Sequence, residues 1–345
     1  MLKIFDHLPD GLLEARAEDL KDRLGGPALV HLPGRRDAPL FTSVLLHGNE
    51  TAGLEAVQRL LKKYAADGLP RALSIFVGNV EAAHHRVRRL EGQPDYNRVW
   101  PGCADAGTPE HAMMRQVVDE MVARRVFASI DVHNNTGLNP HYACVNRLDD
   151  AFFHLATLFS RTVVYFTTPT GVQSAAFAQV CPAVTVECGQ SGQARSVEHA
   201  LEYLDACLHL SEVPCHPLAS RDLDLFHTVA MVKVPPGVSF SFDDRETDLL
   251  FDADLDHLNF RELAAGTLLG RLRPGSPARL QAWDNSGRDA GSQYFRYHDN
   301  EIRLTRPMMP SMLTLDERVI RQDCLCYLMQ RLSPTASEET RVAGS

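Results

Sequence analysis

His47 and Glu50 stand three residues apart in HGNE, and His133 lies further along in DVHNNTG. Two imidazoles and a carboxylate make a borderline-soft nitrogen and oxygen donor set that suits zinc. Three protein ligands leave a fourth position for water or substrate, and such an open site implies catalysis. Bound zinc lowers the pKa of its water toward ~7, but cleaving an amide also needs a base to take that proton and pass it to the leaving nitrogen. Glu187 in AVTVECG is the candidate, an acid at the end of an apolar run where a structural strand more naturally carries Val, Ile or Thr. Each feature alone has a structural alternative. HxxE also fits a turn histidine followed by a glutamate in the first turn of a helix, and Glu187 also fits an ion-paired edge residue.

An anionic substrate group is best held by the planar fork of arginine. Asn97 and Arg98 in PDYNRVWPG are the candidates, with Arg88 and Arg89 just upstream; the alternative for the arginines is a solvated surface cluster. His84, His85 and His141 lie near these motifs without an assigned role.

These residues fall where expected strands end, the edge at which open α/β sheets place their ligands. LFTSVLLHGNE reads as a buried parallel strand running into a loop, and the following ETAGLEAVQRLLKKYAADGLP as a helix stopped by Gly68 and Pro70. ALSIFVGNV, VFASIDVHNNTG, YACVN, TVVYFT and AVTVECG read as further strands. HAMMRQVVDEMVARR, AFFHLATLFSR and SVEHALEYLDACLHL read as helices between them. The alternation predicts an α/β fold with a mainly parallel sheet covered on both faces. Beyond Leu210 the pattern changes to short strands and turns punctuated at PPG, RPGSP and NSGRDAG, which predicts a smaller β-rich domain. The expected organisation is an α/β domain over 1–212, a β-rich domain over 213–332 and a polar, disordered tail over 333–345.

The 44 acidic against 35 basic residues give a net charge of −9, with no basic block to follow a phosphate backbone, so nucleic acid is excluded as a partner. No apolar run approaches the ~18 residues of a membrane span, and the acidic N-terminus lacks the apolar core of a signal peptide. A cytoplasmic protein without a membrane partner is expected. The eight cysteines are scattered through apolar surroundings and read as reduced thiols. Cys324 and Cys326, at period-two spacing in DCLCYLM, read as one face of a buried strand rather than a metal site.

In their order, HGNE, NRVWPG, DVHNNTG and VTVECG resemble the succinylglutamate desuccinylase and aspartoacylase family of the zinc carboxypeptidase-like superfamily, over roughly residues 40–195. The resemblance implies a carboxypeptidase-like fold whose smaller β domain narrows access to the site. It implies one Zn2+ per chain on His47, Glu50 and His133, with Glu187 as general acid and base. Asn97 and Arg98 would hold the substrate carboxylate. An arginine upstream would polarise the scissile carbonyl, Arg89 being the better match and Arg88 the alternative. The implied activity is deacylation of a small N-acyl amino acid such as N-succinylglutamate; trimming of short peptides and a non-catalytic metal-binding relative are the alternatives. The chain also departs from the family. GVQSAAFAQVCPAVTVECG lacks the arginine that aspartoacylase-like members carry for a second carboxylate, and the segments after Glu187 and His133 differ from those of desuccinylases.

Overall fold

A computed structural model describes residues 1–104, 107–243 and 245–332. The tail expected over 333–345 lies outside the described residues. Within the described residues the chain divides into two compact units, the first comprising Met1–Asn134 and His141–Leu225, the second comprising Asn135–Pro140 and residues 226–332.

The first unit runs β1 (Lys3–Phe5), α1 (Leu20–Leu24), β2 (Ala28–Leu32), β3 (Leu40–Val44), α2 (Ala52–Lys63), β4 (Leu73–Val77), α3 (Val80–His84) and α4 (Pro109–Ala123). It continues through β5 (Ala128–Asn135), β6 (Tyr142–Val145), α5 (Asp150–Thr157), β7 (Thr162–Tyr165), α6 (Gln173–Phe177), β8 (Ala183–Gln190) and α7 (Ala194–His209). Its strands lie in the order β1-β2-β4-β3-β5-β8-β6-β7. β3 runs parallel to both β4 and β5, whereas β2 is antiparallel to β4 and β6 to β8. Every residue of β3 and β4 is buried, the burial that continuous Val, Ile, Leu and Phe runs demand of strands with helices on their faces.

Local chemistry starts the helices where the sequence places them. Thr108 Oγ1 accepts the His111 N–H with Pro109 at the first position of α4, and Asp149 caps α5 through the Ala151 N–H. Helix α2 has no such local cap; Asn134, distant in sequence, accepts the Ala52 N–H at 3.1 Å. Helices α2 and α7 are joined by Lys63 and Tyr64, both of which donate to Asp205. Strands β1 and β2, only three and five residues long, were not expected from sequence.

The second unit contains β9 (Asp224–Lys233), β10 (Phe240–Ser241), β11 (Leu249–Phe251), β12 (Leu268–Leu272), β13 (Gln281–Asp284), α8 (Gly291–Tyr294), β14 (Phe295–His298), β15 (Glu301–Leu304), β16 (Met309–Ser311), α9 (Glu317–Gln322) and β17 (Cys326–Arg331). A five-stranded sheet has the order β10-β11-β12-β15-β14, while β9 pairs with β13 and β17. Val232, Phe251, Leu280, Ile302 and Leu328 are among the side chains of its own apolar core. The eight cysteines are free thiols. Cys324 and Cys326 are both buried, but only Cys326 belongs to a strand, because the turn after α9 still occupies Cys324.

No helix among the described residues is long and apolar enough to cross a membrane.

Candidate metal centre

Strand β3 ends at Val44, and Leu45 then takes a φ of 55°, which turns the chain out of the sheet into HGNE. Gly48 lies directly against the backbone of α3, where a side chain would meet Ala83 N at 2.2 Å, and its N–H donates to Arg88 O at 3.1 Å. This one turn presents His47 and Glu50 and ties the loop carrying Arg88 beside them. His133 comes from β5, two residues after Asp131 on the same strand face.

The ligand atoms of His47, Glu50 and His133 lie within 4.8 Å of one another, and all three residues are buried. Nδ1 of His47 is 2.7 Å from Glu50 Oε1, and Nδ1 of His133 is 2.7 Å from Glu50 Oε2. Each ring is held from behind by a carboxylate. His47 Nε2 is 3.0 Å from Asp95 Oδ1, and His133 Nε2 is 2.8 Å from Asp131 Oδ2. A distal Nε2–H donated to a carboxylate leaves Nδ1 to act as a ligand, the second layer that metal-binding histidines ordinarily have. Asp131 is itself fixed by a 2.7 Å bond from Ser43 Oγ.

The electrostatics suit a divalent cation. Burial opposes charge on every member, yet the His47 and His133 rings hold on to their protons above the usual imidazole range, because Glu50 faces both and Asp95 and Asp131 face one each. Glu50 and Asp95 are carboxylates kept ionised well below the ordinary range, despite burial, by His47 and their other positive neighbours. A cation must displace the Nδ1 protons, so metal and proton compete for one place.

Glu187 lies on β8, where burial pushes its carboxyl up to about 7 and nearby His133 opposes that rise. Its Oε2 is buried without a hydrogen-bond partner. A proton acceptor near neutral pH, unengaged by the fold, has the properties of a general base.

Arg88 and Arg89 separate clearly. The Arg88 guanidinium donates to Asp95 Oδ2 at 3.1 Å, and its Nη1 lies 3.6 Å from Glu50 Oε1 and 3.3 Å from His47 Nδ1. Arg89 instead donates to Gln93 O at 2.8 Å. Of the two candidates the loop turns Arg88 toward His47 and Glu50 and leaves Arg89 against its own backbone. Asn97 Nδ2 sits 3.2 Å from His133 Nε2 while its Oδ1 accepts the Gln173 N–H at 2.9 Å. Arg98 is half-buried beside it and donates to Asn97 O at 2.9 Å. Trp100 anchors this segment, fully buried with its ring edge-on to Phe76 and Phe177.

Asp95, Asp131 and Asn134 were missed by the sequence reading. Asp131 had a signal, since DVH places it at period two from His133. Asp95, in an irregular loop, had none beyond its nearness to Asn97.

Residues 43–209 match the model of the succinylglutamate desuccinylase/aspartoacylase catalytic domain. A succinylglutamate desuccinylase of Pseudomonas aeruginosa is 34% identical over 110 residues, 29% of this chain and 32% of that protein, so the match spans about a third of the relative's length. The solved succinylglutamate desuccinylase of Chromobacterium violaceum aligns over 86% of each chain with a TM-score of 0.55 and 19% identity. Murine aminoacylase 3 aligns over 86% of this chain and 96% of its own with a TM-score of 0.56 and 13% identity. At such identities the structural likeness speaks for the fold, a mixed α/β domain with a large, mainly parallel sheet and a separate β-rich sheet. The domain match and the ordered motifs fall on the same residues, and over 43–209 the chain carries the catalytic domain of the succinylglutamate desuccinylase/aspartoacylase family.

Proposed function

We propose that this chain is a metal-dependent amide hydrolase that removes the acyl group from a small N-acyl amino acid, N-succinylglutamate or a related compound. The observation that carries the reading is the convergence of His47, Glu50 and His133, each imidazole backed by its own carboxylate. Those three residues would hold the cation, and their donor types favour Zn2+. When bound, the ion supplies Lewis acidity toward a water molecule and a carbonyl oxygen.

The remaining chemistry belongs to the chain. Glu187 takes a proton from the attacking water and delivers it to the departing amide nitrogen, a role open to a buried carboxyl whose Oε2 the fold leaves without a partner. Arg88, held in place by Asp95, puts positive charge where the carbonyl oxygen becomes negative. Arg98 and Asn97 receive the substrate carboxylate, with the Asn97 amide oriented by Gln173. The names of the relatives, desuccinylase and aminoacylase, support a small acylated amino acid as substrate.

The test is mass-spectrometric detection of products from zinc-loaded protein incubated with pooled N-acyl amino acids and, separately, with short peptides, using Glu187→Gln as control. Release of an acyl group that the variant cannot release is the expected result. Cleavage confined to peptides, or none in either pool, would reject the deacylase assignment.

A further inference from the structure

Asn134 follows His133, and on a strand it points to the face opposite the metal-binding rings. It is 4% exposed, and each of its polar groups engages a different part of the candidate site. Its backbone N–H donates to Glu50 Oε2 at 3.1 Å. Its Oδ1 accepts the N–H of Ala52 at 3.1 Å, a first-turn donor of α2 that no side chain of its own turn satisfies. Its Nδ2 donates to Gly189 O at 3.0 Å, two residues beyond Glu187 on β8. Gly189 has a φ of +74°, and a side chain there would crowd the His141 ring at 3.2 Å, so glycine is what allows this carbonyl to be presented to Asn134.

Three segments meet at this one carboxamide. The HGNE turn carries His47 and Glu50, β5 carries His133, and β8 carries Glu187. No other side chain of this size meets both side-chain demands, since Asp lacks the donor, Ser offers a single oxygen and Gln adds a methylene to a buried position. Ser191 makes a second tie between the same two segments, donating to Asn49 O at 2.9 Å, but from an exposed position where water competes.

We propose that Asn134 is a positioning residue that sets the separation between the cation ligands and Glu187. Through Ala52 it steadies the turn whose Glu50 carboxylate bridges the two imidazoles, and through Gly189 it holds the end of the Glu187 strand against that turn. The proposal rests on the functional reading above, and its two arms fail separately from it.

The test compares Asn134→Asp with Asn134→Ala in the full chain. Asp keeps the acceptor for Ala52 and loses the donor to Gly189, whereas Ala loses both. Cobalt(II) affinity is measured by competition with a chromophoric chelator, the visible spectrum of the cobalt protein reports ligand geometry, and kcat and KM are determined with zinc-loaded protein. Asn134→Ala is expected to bind Co2+ about 10- to 100-fold more weakly with an altered spectrum, the range for lost second-layer support. Asn134→Asp is expected to keep Co2+ affinity and KM within about threefold while kcat falls at least about tenfold. A merely structural asparagine would lower thermal stability in both variants and leave Co2+ affinity, spectrum and kcat as in the unsubstituted chain, and that result overturns the proposal. If the unsubstituted chain hydrolyses no amide, the functional reading falls, and the Co2+ affinity of Asn134→Ala alone decides the role of Asn134. Should Asn134→Ala not fold, unchanged kcat in Asn134→Asp is sufficient to overturn it.

Discussion

Nε2 of His133 lies 2.8 Å from Oδ2 of Asp131, two residues back on the same buried strand, and the second oxygen of that carboxylate accepts from Ser43. The ring orientation is thereby set by the strand itself. Replacing Asp131 by Asn keeps the shape but substitutes a neutral amide for the carboxylate that raises the basicity of the ring. Asp131→Asn is expected to weaken Zn2+ binding by about 10- to 100-fold with the fold retained. Competition titration with a chelator measures this, and undiminished affinity would show that Asp131 serves the core alone.

Glu187 combines a cost to stability with a proposed role in catalysis, and the two can be separated. Its carboxyl titrates at about 7 in the fold against 4.5 outside it, because burial disfavours the charge. Between those values the unfolded chain binds fewer protons, so the residue costs stability increasingly as pH rises from 4.5 toward 7 and by a constant amount above. Glu187→Gln is expected to abolish turnover by at least about a hundredfold. In chelator-treated protein it is expected to be more stable than the parent by about 1–3 kcal/mol at pH ~8, and by much less at pH ~4.5. Urea unfolding at the two pH values reads the difference; a pH-independent difference would mean that Glu187 is not a buried titrating acid.

How much of this was legible in the sequence follows from how each residue is held. His47, Glu50, His133 and Glu187 sit at strand ends, and the apolar runs that precede them reveal the strands. Their convergence follows from parallel topology, which brings strand ends to one edge. The loop from Arg88 to Arg98 has no periodicity, and only its tertiary anchors decide which arginine turns inward: the Gly48 bond to Arg88 O, the Asp95 carboxylate and the buried Trp100. Asn134 was illegible for another reason. Its neighbours in sequence suggest a polar loop, but β5 extends through Asn135 and buries the carboxamide between segments far apart in the chain.

His31 provides a pH response remote from the metal ligands. It is buried on β2 with Nδ1 2.8 Å from Ser74 Oγ, and its Nε2 has no partner. Burial, reinforced by Arg124 and opposed by Asp6, lowers its pKa from 6.5 to about 4. Between those values the unfolded chain binds more protons, so His31 makes the fold less stable as pH falls from 6.5 to 4 and no further below. His31→Gln is expected to flatten that part of the stability profile by about 1–2 kcal/mol. Urea unfolding at intervals across the range measures the slope, and an unchanged slope would place the acid sensitivity elsewhere.

Arg88 and Arg89 give the sharpest discrimination because one residue separates them. Arg88 is 9% exposed and reaches Asp95, Glu50 and His47, whereas the Arg89 guanidinium donates to Gln93 O and lies against the loop's own backbone. Lysine at either position keeps the positive charge that Asp95 or the loop requires and removes the planar fork. Arg88→Lys is expected to reduce kcat/KM by about a hundredfold, the scale for losing one aimed donor at a developing oxyanion. Arg89→Lys is expected to stay within about threefold of the parent, since the bond it loses lies within the loop. Steady-state kinetics on the substrate found by the pooled screen decides the matter. Equal losses at both positions would mean that the loop acts as a unit, and a larger loss at Arg89 would mean that it turns the other arginine inward when substrate binds.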